Sequence, residues 1–242
     1  MTQYLAASFS VLFPGLAFVL GLLASMYLFA EWVRYHRRPH FSLYWALALF
    51  LMYWFQVPVI LSNLGKTIVQ SEFNFFFAIT FPITFVALVF IYLGVLDAIK
   101  FQMRPITKLL FGAWVISALI FFVQQFIVQD GVIQNHVLPL VGNIAFYGPI
   151  RTLIILTLVF WLRNTKNKAL YGILGALAII GESVIGLVRN FLIIKNVIQY
   201  PPEFWYIVLS GLDIFFILQT ASIILLVAGF TLFTKVRKEQ HN

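Results

Sequence analysis

The chain has 242 residues, 62% hydrophobic and 10% charged, with a mean hydropathy of +0.97. A soluble domain is about 45–50% apolar and about 25% charged, so this composition excludes a water-soluble globule. The net charge of +8 does not point to nucleic acid, because the basic residues punctuate long apolar runs, and the absence of cysteine excludes disulfides, thiolate metal sites and a cysteine nucleophile.

A membrane helix needs about 20 apolar residues to cross a hydrocarbon core of about 30 Å. Runs of that kind fall roughly at 9–33, 41–62, 75–99, 109–129, 138–162, 169–194 and 204–234. The first is too long, and has no basic stretch before it, to read as a cleavable leader. The second carries Gln56 and Pro58, and the third Thr80, Pro82 and Thr84. Each of these is a polar or kinking position that membrane helices tolerate. The expected fold is an all-α integral membrane protein of seven transmembrane helices, one domain over 1–242.

The connecting segments set the orientation. Arg34, Arg37 and Arg38 follow the first run, Lys100, Arg104 and Lys108 the third, Arg163, Lys166 and Lys168 the fifth, and Lys235, Arg237 and Lys238 the seventh. The alternate loops hold only Lys66 and Lys195. The positive-inside rule therefore places the N-terminus outside and the C-terminus in the cytoplasm of a multi-pass protein, with the cell (inner) membrane as the expected location. Trp32, Tyr35, Trp161, Tyr200 and Trp205 at run ends fit an interfacial aromatic belt.

The chain also matches itself. Shifted by 129 positions, Trp32 and Arg34 fall on Trp161 and Arg163, and Lys66 and Gln70 on Lys195 and Gln199. A first three-helix repeat over 1–100, a linker helix over 101–136 and a second repeat over 137–242 follow, running in the same direction as a parallel 3+1+3 arrangement. This layout resembles that of the SWEET sugar transporters. Their Pro-Gln pair near the end of the first helix of each repeat is absent, since the corresponding stretches read Phe29-Ala30-Glu31-Trp32 and Leu158-Val159-Phe160-Trp161.

Ionisable groups at bilayer depth cost at least about 2.5–3.5 kcal/mol each, so each calls for a reason. Arg151, Glu182, Arg189 and Asp213 qualify. At about 1.5 Å per residue, Arg151 is about 18 Å from Arg163, Glu182 about 21 Å from Lys168 and Asp213 about 15 Å from Glu203, near one level. Gly175, Ile179, Glu182, Gly186 and Arg189 share one face of the sixth run, which small residues let approach a neighbour. The fifth run offers Asn143, Tyr147 and Arg151 at a spacing of four, with Pro149 expected to kink it. The seventh adds Tyr206, Ser210 and Asp213. These three stripes are expected to converge on one outward-facing cavity that binds a ligand or proton through Arg151, Glu182, Asp213, Arg189, Asn143, Tyr147 and Ser210, with Gln56 completing it. Purely structural pairing is the competing reading. Glu31 and Asp97 are expected to pair locally with Arg34 and Lys100.

No catalytic set is legible, and no enzyme is expected. Every Lys lies in or beside a loop, which excludes a retinal Schiff base, and no phosphate loop, metalloprotease helix or nucleophile elbow occurs. No metal and no cofactor are expected. The favoured reading is a carrier for a small polar or ionic solute, or a proton-coupled one, and the alternative is a seven-helix sensor signalling to a separate cytoplasmic partner. Lipid is the certain neighbour, and a homo-oligomer is compatible with the sequence. Against the carrier, the positions matching Arg151 and Glu182 in the first repeat are Leu22 and Tyr53, so the charges belong to one half. Reporter fusions after Lys168 and at Asn242 should both read cytoplasmic, and an external signal from either would overturn this topology.

Overall fold

The computed structural model describes residues 2–34, 40–54, 70–128, 136–164, 169–201 and 213–239, and every regular element among them is helical. In chain order these are α1 (Thr2–Arg34), α2 (His40–Trp54), α3 (Gln70–Ala98), α4 (Pro105–Val128), α5 (Val137–Asn164), α6 (Leu170–Gln199) and α7 (Asp213–Glu239). Each overlaps one of the expected runs, and all but α2 contain a stretch long and apolar enough to cross a membrane. The chain thus forms an all-helical bundle compatible with a multi-pass membrane protein. The second run is described only to Trp54, so Gln56 and Pro58 lie outside the described residues, as does Ser210.

The principal packing neighbours make a ring. α1 packs on α2, α2 on α3, α3 on α5, α5 on α6, α6 on α7, and α7 closes back on α1. α4 lies outside this ring, against α3 and α5. Its only fully buried side chains are Ala118 and Phe122, while Leu109, Ile116, Val123 and Ile127 are exposed, as suits a face turned to lipid.

Contacts within the ring show the run of the helices. Ser25 Oγ donates to the Ala46 carbonyl at 2.8 Å, Trp45 Nε1 donates to the Ile91 carbonyl at 3.2 Å, and the Phe41 amide donates to Asp97 Oδ2 at 2.8 Å. Position 41 faces 97 and 45 faces 91, so α2 and α3 are antiparallel. Asp97 therefore corrects the expectation of a local Lys100 pair. Its carboxylate takes a first-turn amide of α2, one of the donors a helix start leaves without an intrahelical acceptor. Lys100 instead adopts a left-handed conformation (φ 55°), its amide bonding the Asp97 carbonyl at 3.1 Å and the Phe101 amide the Leu96 carbonyl at 2.8 Å. This is the glycine-type helix stop, made here by lysine.

Without a hydrophobic driving force between helices in lipid, packing relies on close approach and shape. On α6 a Cβ at Gly175 would lie 3.0 Å from the Gly229 carbonyl of α7, and one at Gly229 would lie 2.6 Å from Ile179. Facing glycines thus bring these two helices backbone to backbone. Elsewhere aromatic rings fill the ring interior. Trp45 stacks on Phe230 with centroids 4.3 Å apart and planes at 8°, joining α2 to α7. Phe85, Trp114, Phe122 and Phe146 pack as tilted and edge-on pairs that seat α4 on the seam between α3 and α5.

Candidate functional site

Pro149 has no amide hydrogen and its ring collides with the carbonyl one turn earlier in an α-helix. α5 accommodates it with a π-helical segment, Gly142–Tyr147, placed immediately before Gly148 and Pro149. The Gly148 amide donates to the Asn143 carbonyl, a bond one residue longer than the α-helical one. Asn143 Nδ2 adds a bond to the Pro139 carbonyl at 2.7 Å. The expected kink is thus realised as a π segment.

That segment also corrects the expected stripe. Residues four apart share a face only in α-helical phase, and the wider turn rotates everything beyond it. Asn143 therefore lines the outer side of α5 toward α6. Tyr147 turns instead to α3, donating its hydroxyl to the Phe81 carbonyl at 2.6 Å, bonding the Thr84 side chain and stacking on Phe81 at 5.7 Å and 8°. Arg151 turns to the ring interior. The three do not form one polar wall.

Arg151 and Glu182 do meet. Nη1 of Arg151 lies 2.7 Å from Glu182 Oε1, and the side chains are 4% and 0% exposed. The same Oε1 accepts from Ser222 Oγ of α7 at 2.9 Å, and Oε2 accepts from Ser183 Oγ at 3.3 Å. One carboxylate is held by donors from α5, α6 and α7. Gly186, one turn beyond Glu182, makes the approach possible, since a Cβ there would lie 2.0 Å from Arg151 Cζ and Nη1 and 2.4 Å from Nε. The guanidinium packs against α6 at Gly186, and its Nε is buried with no hydrogen-bond partner.

The face predicted on α6 is observed, with Gly175, Ile179, Glu182 and Gly186 all buried and Arg189 half-buried. Arg189 interacts electrostatically with Arg151, Tyr53 and Glu182, and Tyr53 of α2 with both arginines and Glu182. The hydrogen-bonded centre therefore joins Arg151, Glu182, Ser183 and Ser222, with Tyr53 and Arg189 within electrostatic range of it. Ser183, Ser222 and Tyr53 were not among the expected site residues. The serines carry no sequence signal beyond being polar within apolar runs, whereas the shift of 129 had already set Tyr53 opposite Glu182.

Asp213 departs from the common level. It is the first residue of α7, and Ser222, which touches Glu182, lies nine residues further on, about 13 Å of helix rise. Residues 202–212, through which that depth was counted, lie outside the described residues. The Asp213 side chain lies outside the described residues. Gln56 and Ser210, which the expected outward cavity needs along with it, likewise lie outside the described residues, while the Arg151–Glu182 contact itself is closed, with both side chains buried. The groove beside it, of about 650 Å³, is lined by Asn143, Gly148, Thr152, Asn190 and apolar neighbours, and not by Arg151 or Glu182. Among the described residues no three potential metal ligands come together.

Compared with protein-family models, with curated proteins and with solved structures, the chain matches none. The reading of the site therefore rests on its chemistry alone. Because a methyl group at Gly186 must displace the guanidinium, Gly186→Ala should lower stability in detergent by about 3 kcal/mol, the scale of breaking a buried pair. In an Arg151→Ala, Glu182→Ala background the same change should have little effect. A Gly186→Ala protein as stable as the parent, read by thermal unfolding, would contradict this geometry.

Proposed function

We propose that the protein is a membrane carrier for a small polar or ionic solute, coupled to protons through Glu182 with Arg151 as its counter-charge. The observation that carries this reading is the buried Glu182 carboxylate, bonded from three helices. Hydrophobic residues of similar volume pack at least as stably as a buried ion pair, so stability alone is a poor reason for the charges. Ionisable groups inside a bilayer mark ion, proton and substrate routes. Protonating Glu182 removes the charge that holds Arg151 Nη1 and weakens the acceptor of Ser222, so one proton acts on α5, α6 and α7 together. A sealed pair fits the occluded member of an alternating-access cycle.

The parallel 3+1+3 repeat and the N-outside, C-inside orientation belong to the same proposal. What supports the repeat is the ring order. The neighbours α1–α2, α2–α3 and α3–α5 have counterparts in α5–α6, α6–α7 and α7–α1, with α4 outside as the linker. Tyr53 and Glu182, matched by the shift of 129, also share one electrostatic centre. The orientation rests on the four basic cytoplasmic segments.

Proteoliposomes with an entrapped pH dye, an imposed proton gradient and a clamped potential allow a panel of amino acids, carboxylates, sugars and inorganic ions to be screened. One class should drive a proton flux that falls more than about tenfold in Glu182→Gln and stays lost in a folded Arg151→Leu, Glu182→Leu protein. Full flux in that double variant would overturn the assignment. Saturable binding without flux would replace the carrier with the sensor reading.

A further inference from the structure

Between the π segment of α5 and the facing turn of α6 runs a groove of about 650 Å³, within the roughly 300–1,000 Å³ typical of small-molecule sites. Its walls include Ile144, Leu153, Leu187 and Phe191 and hold no charged residue. Ile144 and Phe191 are 62% and 65% exposed, so the groove opens sideways along the apolar flank of the bundle. Two of its lining residues carry buried polar atoms with no hydrogen-bond partner, Asn143 Oδ1 and Asn190 Nδ2. The residues themselves are only 1% and 8% exposed.

In an apolar setting an unpaired amide oxygen and an unpaired amide hydrogen are both costly, and most such groups have partners. The Asn143 amide is not free to turn away, because its nitrogen holds the Pro139 carbonyl at 2.7 Å. One vacancy needs a donor and the other an acceptor. An ammonium group only donates, and ester or ether oxygens only accept, so neither satisfies both. A hydroxyl does both from one atom without bringing charge. Asn143 lies about 10 Å along α5 from His136, and Asn190 about 15 Å along α6 from Tyr200, at hydrocarbon depth where the bilayer is the source of occupants.

We propose that this groove is a binding site for a neutral lipid bearing a free hydroxyl, which donates to Asn143 Oδ1, accepts from Asn190 Nδ2 and lays its chain along Ile144, Leu153, Leu187 and Phe191. This site is separate from the Arg151–Glu182 centre and stands whether or not the protein is a carrier.

The test uses the full chain in phosphatidylcholine nanodiscs with a diazirine-bearing long-chain alcohol, and peptide mapping of the photolabel. Labelling should concentrate on the α5 and α6 segments around Ile144 and Phe191. Excess 1-dodecanol should compete with it, and the methyl ether of the same chain should compete about fivefold less well, as expected for one lost hydrogen bond. Asn190→Leu should reduce the labelling about fivefold by the same reasoning and abolish the alcohol-over-ether preference. Leu187→Trp, which fills the groove from its apolar wall, should remove labelling in a protein whose elution and unfolding temperature match the parent, so loss of fold is distinguished from loss of site. Equal competition by alcohol and ether, unchanged labelling in Asn190→Leu, or label spread evenly over exposed α4 would overturn the proposal.

Discussion

A carboxylate with no exposed surface, placed among apolar helices, constrains everything around it. Glu182 cannot be left alone there, because an uncompensated charge in a low-dielectric interior costs several kcal/mol. Its environment therefore supplies Arg151 at 2.7 Å and Ser222 at 2.9 Å, each from a different neighbouring helix. The guanidinium in turn needs room against α6, which only a residue without a Cβ provides, and Gly186 is that residue. The order of dependence runs from charge to partner to backbone clearance. With α5 and α7 both tied to one atom of α6, the rotation of all three helices about their axes is fixed to within a hydrogen bond.

The rest of the bundle is compatible with that fixed point and adds to it. Facing glycines bring α6 and α7 into backbone contact, and that closeness lets a side chain as short as Ser222 reach the carboxylate. Aromatic stacking of Trp45 on Phe230 ties α2 to α7, and the bond of Tyr147 to the Phe81 carbonyl ties α3 to α5. A hydroxyl aimed at a helix carbonyl and an indole aimed at Ile91 are the polar contacts expected where no water competes. The π segment has two consequences. It absorbs Pro149, and it redirects three evenly spaced polar residues to three different surroundings.

Much of this was legible in the residues themselves. The helices follow from apolar length, since lipid leaves backbone polar groups no partner outside a helix. The inward face of α6 followed from small residues and charges recurring three or four apart, and Arg151 and Glu182 stood out because charges at that depth require reasons. What the pattern did not carry was phase. A helix written as uniformly α puts Asn143, Tyr147 and Arg151 in one line, and only the added residue per turn ahead of Pro149 breaks it. Depth counted from a loop residue set Asp213 level with Glu182, whereas along α7 it lies nine residues before Ser222, the residue that bonds that carboxylate. Ser222 was illegible for a different reason: a hydroxyl within an apolar run often bonds its own helix, as Thr152 does with the Gly148 carbonyl at 2.8 Å, and Ser222 reaches across because the glycine contact brings α7 against α6.

The pair and the groove share the same two helices while facing different surroundings, one sealed in the ring and one open to the flank. The central claim is that Arg151 and Glu182 act on one another and organise α5, α6 and α7. A double-mutant cycle of Arg151→Met and Glu182→Gln, followed by unfolding free energy in detergent, tests it most directly. The account predicts that each single change destabilises the protein and that the two together cost less than their sum, with a coupling energy of about 2–3 kcal/mol. Additive effects, with a coupling near zero, would contradict it.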